Sequence, residues 1–150
     1  MSTEVIIGID PGQSGGIAFL WEGGVQRACK MPETESDVTD LFDLSISEEV
    51  AAFAFLEFVH SMPKQGVSSS FKFGRNYGFL RGLLTALKIP FEDVTPQKWQ
   101  KALGCMSRGD KNVTKQKAQQ LFPNVGKITH ATADCLLIAE FGRRKRTGTL

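Results

Sequence analysis

A chain of 150 residues, 41% hydrophobic and 23% charged with a net charge of +2, suits one domain with a sizeable core and has an ordinary globular composition. No apolar stretch approaches the roughly 20 residues of a membrane span, and the N-terminus has neither a basic leader nor a cleavable apolar segment. The three cysteines, Cys29, Cys105 and Cys135, are odd in number and lack CxxC spacing, which speaks against a disulfide framework or a zinc site and for a reducing, cytoplasmic setting.

In chain order, "VIIGID" (5–10) reads as a buried strand, and the Gly-rich turn at 12–16 leads into a second strand, "GIAFLW". Gly23-Gly24 signals a tight turn before a third strand, "VQRACKM". Connections this short imply antiparallel neighbours. Residues 36–46 place Val38, Leu41, Phe42 and Ile46 on one helical face, and "VAAFAFLE" (50–57) is a fourth, fully buried strand. After the loop "HSMPKQG", Ser68 to Ser70 are candidate caps for a long helix that runs to about Lys88 and is stopped by Pro90. "FEDV" (91–94) follows as a fifth strand, parallel to the fourth because a helix separates them. Thr95-Pro96 opens a short helix through Leu103, Asp110 caps another to about Phe122, and a last helix runs from Thr129 or His130 to about Arg144. The expected architecture is a single α/β domain with a mixed sheet and helices on its faces. Residues 143–150 are expected to form a basic tail.

Charge is unevenly spread. Residues 31–57 hold eight acids and no Lys or Arg, residues 58–127 hold twelve bases against three acids, and RRKR at 143–146 adds four more bases. Such asymmetry suggests a polyanionic partner, although a solvated surface gives the same pattern. The long helix carries Gly74, Gly78 and Gly82 on one face, at about 1 kcal/mol each relative to Ala. Something is therefore expected to approach that face closely, either the sheet or a second helix across a dimer.

Three acids stand apart from the solvated ones: Asp10 in the first strand, Glu57 at the end of the fourth, and Asp134 within "THATADCLLIAEF". A carboxylate in an apolar setting is unfavourable unless it is paired or binds a cation. Clustered carboxylates without Cys select hard cations such as Mg²⁺ or Mn²⁺. His130 lies one helical turn before Asp134 and can face the same way. The stretch "VIIGIDPGQSGG" also resembles the strand-Asp-Gly turn with which actin-like ATPases and sugar kinases hold phosphates. It lacks the phosphate-loop consensus, and 150 residues supply only one of the two domains such proteins need.

"IGIDPG", "LEFVH" and "HATADCLLIAEF" together resemble RuvC-type Holliday junction resolvases, particularly the phage-borne branch, and "GVSSSFKFGRNYGFLRGLLTAL" and "VTPQKWQKAL" resemble its intervening segments. The resemblance spans about residues 4–144. It implies a ribonuclease H-like five-stranded sheet in the order 3-2-1-4-5, a homodimer, and nicking of branched DNA (four-way junctions, forks or flaps). It carries Asp10, Glu57 and Asp134 over as ligands of two Mg²⁺ ions, with Mn²⁺ as a substitute and Asp10 as the bridging ligand. Where the family commonly has Asp or His three residues before the final Asp, this chain has Ala131, with His130 one residue earlier, so His130 is the candidate fourth ligand or proton shuttle. Lys111 and Lys115, four apart on a predicted helix, are candidates to face the scissile phosphate, Lys115 in a catalytic role. His60, Lys64, Phe71, Lys72, Arg75, Lys98 and Lys101 complete the expected DNA contacts, and Trp99 reads as packing. The competing readings are a branched-DNA-binding protein of this fold that has lost catalysis, and a nucleotide-binding fragment of the actin-like ATPase type.

Overall fold

The computed structural model describes residues 4–59 and 66–150. Five strands, β1 (Glu4–Asp10), β2 (Gly16–Trp21), β3 (Gln26–Lys30), β4 (Ala51–Glu57) and β5 (Phe91–Val94), form one sheet in the order β3-β2-β1-β4-β5. β1 runs antiparallel to β2 and parallel to β4, and β4 runs parallel to β5. β1 is therefore central and covered on both faces, which is why it reads as an unbroken apolar run rather than an alternating one. The expected fold class and strand order both hold.

Helices cover both faces. α1 (Glu35–Ser45) and α2 (Val67–Ala86) lie on one side; α3 (Pro96–Leu103), α4 (Lys111–Leu121) and α5 (His130–Thr147) lie on the other. Strand alternation sorts the core between them. Val5, Ile7 and Ile9 of β1 join Ala54 and Leu56 of β4 in the layer under α1 and α2. Ile6 and Phe55 face the opposite layer with Trp99, Phe122, Leu136 and Phe141. By the same parity Asp10 and Glu57 belong to the α5 side.

Local signals account for most boundaries. The Thr34 side chain accepts the amide of Asp37 to start α1, Thr95 caps α3 with Pro96 in its first turn, and the Asp110 side chain accepts the amide of Asn112 to start α4. Thr129 and Thr132 form a reciprocal capping box that starts α5. Three expectations are corrected. α2 begins at Val67 with Gly66 as N-cap and no side-chain cap, so Ser68 to Ser70 lie inside the helix. The Gly74, Gly78 and Gly82 face does not pack on the sheet: among the described residues nothing lies within 4 Å of where a Cβ would stand at any of the three. The bases at 143–146 do not form a tail; α5 carries them to Thr147 before ending in a left-handed Gly148. Arg143 and Arg144 pair with Glu140, Lys145 with Glu92, and Arg146 with Glu4. No helix among the described residues is long and apolar enough to cross a membrane.

α5 lies directly on the sheet because two strand positions have no side chain. A Cβ at Gly8 would stand 2.2 Å from the Cys135 carbonyl oxygen and 2.4 Å from the Ala139 nitrogen. A Cβ at Gly16 would stand 2.5 Å from the Ala131 carbonyl oxygen. These obstacles are helix backbone, which cannot turn aside as a side chain can. Gly8→Ala is therefore expected to lift α5 from β1 and destabilise the fold by about 1–3 kcal/mol, the usual range for overpacking, seen as a lowered midpoint in urea denaturation.

Candidate active site

The site forms where β1 and β4 end together. Ile9 pairs with Leu56 in the parallel register, so Asp10 and Glu57, one residue further along, stand on neighbouring strands spaced about 4.8 Å apart. Asp134 is one turn into α5, and the close seating of that helix at Gly8 and Gly16 brings its carboxylate over the strand ends. Asp10 and Asp134 line one cavity of about 490 Å³ with Gln13, Lys30, Lys111, Thr114 and His130. Glu57 sits beside that cavity rather than on its wall, held from the other side by Trp99, whose indole Nε1–H donates to Glu57 Oε2 at 2.8 Å.

The turn after Asp10 is fixed by the opposite layer. The Gly15 amide donates to the Gly12 carbonyl at 3.0 Å. The Gly12 amide donates to Asn76 Oδ1 of α2 at 2.7 Å. Gly12 has φ +98°, and a Cβ there would strike the Phe73 ring at 2.8 Å, so both conformation and space call for glycine. Asn76 and Phe73 thus clamp the chain two residues past Asp10.

The carboxylates disturb one another. Burial raises Asp10 well above the usual carboxylate range; the charges of Glu57 and Asp134 add to that, and Lys111 partly offsets it. Burial raises Glu57 to about 7, with the Trp99 hydrogen bond pulling down and Asp134 pushing up. Burial also raises Asp134, against the opposing effects of the Thr114 hydroxyl, Lys111 and His130. A desolvated carboxylate cluster reaches neutrality by taking up protons or a cation. Its donors are carboxylate oxygens with an imidazole at the rim, a set that fits a hard divalent ion. The acids converge without forming a closed cage: among the described residues no three His, Cys, Asp or Glu side chains already stand as a group that could hold an ion.

The remaining expected residues divide. His130 and Lys111 are exposed on the cavity wall, whereas Lys115, one turn further along α4, is half-buried and does not line it. Lys72 and Arg75 of α2 line a neighbouring cavity of about 230 Å³ that shares Gln13 with the first. Phe71 is 69% exposed. Lys98 is exposed and pairs loosely with Glu92 at 3.9 Å, and Lys101 is exposed in the last turn of α3. His60 and Lys64 fall outside the described residues. Five residues at the site carry no sequence expectation of a role there: Gln13, Lys30, Thr114, Asn76 and Trp99 as a hydrogen-bond donor. Only Trp99 left a usable signal, since a buried indole N–H seeks an acceptor.

No protein-family model matches the chain, and no curated protein matches it by sequence. Among solved structures, the chain resembles Thermus thermophilus RuvC in complex with a Holliday junction substrate, with TM-score 0.63, 15% identity and 97% of each chain covered. Thermus thermophilus RuvC in a second structure gives TM-score 0.63 at 16% identity, again with 97% of each chain covered. The yeast mitochondrial Holliday junction resolvase Ydc2 gives TM-score 0.51 at 16% identity, over 99% of this chain and 81% of that one. The chain therefore has the RuvC-type, ribonuclease H-like fold.

The raised carboxylates set a pH dependence. Glu57 binds its proton more tightly in the folded chain than its ordinary value near 4.5 allows. Between about pH 4.5 and 7 the folded state thus holds more protons than the unfolded state, and stability falls as pH rises. Metal-free protein in EDTA is expected to lose a few degrees of melting temperature between pH 5 and pH 8 in a thermal-shift series, and Glu57→Gln is expected to flatten that slope.

Proposed function

We propose that this protein is a structure-selective DNA endonuclease that nicks Holliday junctions and related branched DNA by metal-assisted phosphodiester hydrolysis. The observation that carries the reading is the convergence of Asp10, Glu57 and Asp134, all shifted upward by burial, beside a cavity walled by Lys30 and Lys111. The RuvC-type fold supports it, and one of the similar proteins was solved on a Holliday junction substrate.

Asp10, Glu57 and Asp134 would hold two divalent cations, Mg²⁺ or Mn²⁺, with Asp10 between the other two acids and His130 as a further donor or a proton acceptor at an imidazole nitrogen. Bound there, the ions supply Lewis-acid polarisation of the phosphate and an activated water. The chain's own groups do the rest. Lys111 and Lys30 stand on the cavity wall, where a phosphate oxygen gains their charge as the backbone enters. Lys72 and Arg75 continue the basic surface past Gln13 and hold further phosphates without reading sequence. Phe71, exposed in the first turns of α2, offers a stacking face to an unpaired base. Lys115 acts on the approaching DNA from α4 rather than from the cavity.

Homodimerisation belongs to the same reading. Two copies related by a two-fold axis bring two sites to one four-way substrate and make paired nicks symmetric. The open Gly74, Gly78 and Gly82 face of α2 supports a helix-to-helix contact there, since small residues let backbones approach closely.

Three experiments test the reading. Asp10→Asn is expected to lower Mg²⁺-dependent nicking of a four-way junction by at least about 10³-fold while junction binding in a gel-shift assay persists; wild-type rates would sink the assignment. Four-way, three-way, flap and linear duplex DNA cut side by side should show preference for branched substrates, and equal cutting of linear duplex would remove the junction specificity. Gly78→Leu is expected to convert a dimer to a monomer in sedimentation analysis, and an unchanged oligomeric state would place any dimer contact elsewhere.

A further inference from the structure

Trp99 is 0% exposed, yet one of its atoms belongs to the polar cluster rather than to the core. The indole ring packs among Val94, Phe122, Leu136 and their neighbours in the α5 layer, and its N–H reaches out of that layer to Glu57 Oε2 at 2.8 Å. Among the described residues this is the one hydrogen bond that a side chain donates to the Glu57 carboxylate.

The donor is held as tightly as the acceptor. Val94 ends β5 opposite Glu57 in the parallel register. The Phe58 amide, directly after Glu57, donates to the Val94 carbonyl at 2.7 Å. Thr95, the next residue, caps α3, accepting the Lys98 amide on its hydroxyl at 3.3 Å and the Trp99 amide on its carbonyl at 3.3 Å. Pro96 fixes the first helical residue. Glu57 and Trp99 are therefore tied to the same strand end through the six residues from Val94 to Trp99, with little freedom to move relative to each other.

That arrangement matters because Glu57 is repelled by its neighbours. Left alone, its carboxylate would rotate away from Asp10 and Asp134. With Oε2 accepting from the indole, rotation of the carboxylate about its own axis is restricted. We propose that Trp99 is a positioning residue: it holds the Glu57 carboxylate in the orientation that completes the cation-binding cluster, and so makes α3 part of the active site. This rests on the metal-dependent reading above. Outer partners of this kind typically contribute 10–100-fold to metal affinity.

The test separates the hydrogen bond from the bulk of the ring. Trp99→β-(3-benzothienyl)alanine keeps the bicyclic shape and puts sulfur where the N–H was; Trp99→Phe serves as a coded second variant. Mn²⁺ binding is measured by calorimetry on the full chain, with junction nicking in parallel. The isostere is expected to unfold at the wild-type temperature without metal, to bind Mn²⁺ at least about 10-fold more weakly, and to lower kcat for nicking more than it raises KM. In a Glu57→Gln background the same replacement should have no further effect on Mn²⁺ affinity, since the orientation it fixes is already lost. Wild-type Mn²⁺ affinity in the isostere, or an equal loss in the Glu57→Gln background, overturns the assignment. A wild-type chain that binds no Mn²⁺ overturns both this role and the metal-dependent reading; one that binds Mn²⁺ but cuts no branched DNA overturns the proposed function alone and leaves the role of Trp99 to the affinity data.

Discussion

Backbone rests on backbone where α5 crosses β1, and the rest of the site depends on that contact. At Gly8 and Gly16 the strands offer no side chain, so the helix settles against the sheet at Cys135, Ala139 and Ala131. Any larger residue would add the thickness of a methyl group between them, and Asp134 would rise off the strand ends by a similar amount. A carboxylate cluster tolerates little such displacement, because its usefulness lies in several oxygens converging on one point. Gly142 does the same further along α5, where a Cβ would meet the Phe55 ring at 2.2 Å. The helix is thus seated on the strand that carries Asp10 and on the strand that carries Glu57.

The converging acids are held against their own repulsion by structure with little else to do there. α4 supplies Lys111 and Thr114, whose charge and hydroxyl oppose the upward shift of Asp134. α3 supplies Trp99. α2, from the opposite layer, reaches round with Asn76 and Phe73 to fix the turn after Asp10. Trp99 and Thr114 are buried, Asp110 caps the helix that carries Lys111, and Asn76 is held by its hydrogen bond to the Gly12 amide, so the supports come from three separate helices. Strain of this kind is common where a protein keeps like charges ready for a counter-ion. Glu140, the other buried carboxylate at 6% exposure, shows the contrast. Arg143 and Arg144 clasp it, and its proton affinity falls instead of rising even though burial alone would raise it.

How much of this was legible in the sequence follows from what each residue type reveals about its surroundings. Caps and breakers act locally, so Thr95-Pro96, Asp110 and Thr129 marked their helices nearly to the residue. Asp10, Glu57 and Asp134 stood out because an acid inside an apolar run contradicts its neighbours. The periodicity of Gly74, Gly78 and Gly82 said that they share a face but not what that face meets, and it meets no described residue. RRKR looked like an exposed basic run, but its partners Glu4 and Glu92 lie 142 and 53 residues away from Arg146 and Lys145, a relation that only the fold creates. Trp99 reads as packing because burial is what an indole signals first; its second property, a single donor, finds its acceptor 42 residues away.

Register ties the chemistry to the fold. Along β1 the side chains alternate between two layers, and Asp10 falls on the side of α3, α4 and α5. A slip of one residue would turn Asp10 toward the apolar layer built from Val38, Leu41, Phe42 and Leu80, away from Lys111 and Thr114, with which it lines the cavity. It would also move Val5, Ile7 and Ile9 out of their apolar layer. The desolvation of one carboxylate and the burial of three aliphatic side chains therefore favour the same alignment. The acid in the central strand, which seems misplaced when the sequence is read for stability alone, is compatible with only one register of the sheet. That register is also the one in which Glu57 and Asp134 come to stand beside it.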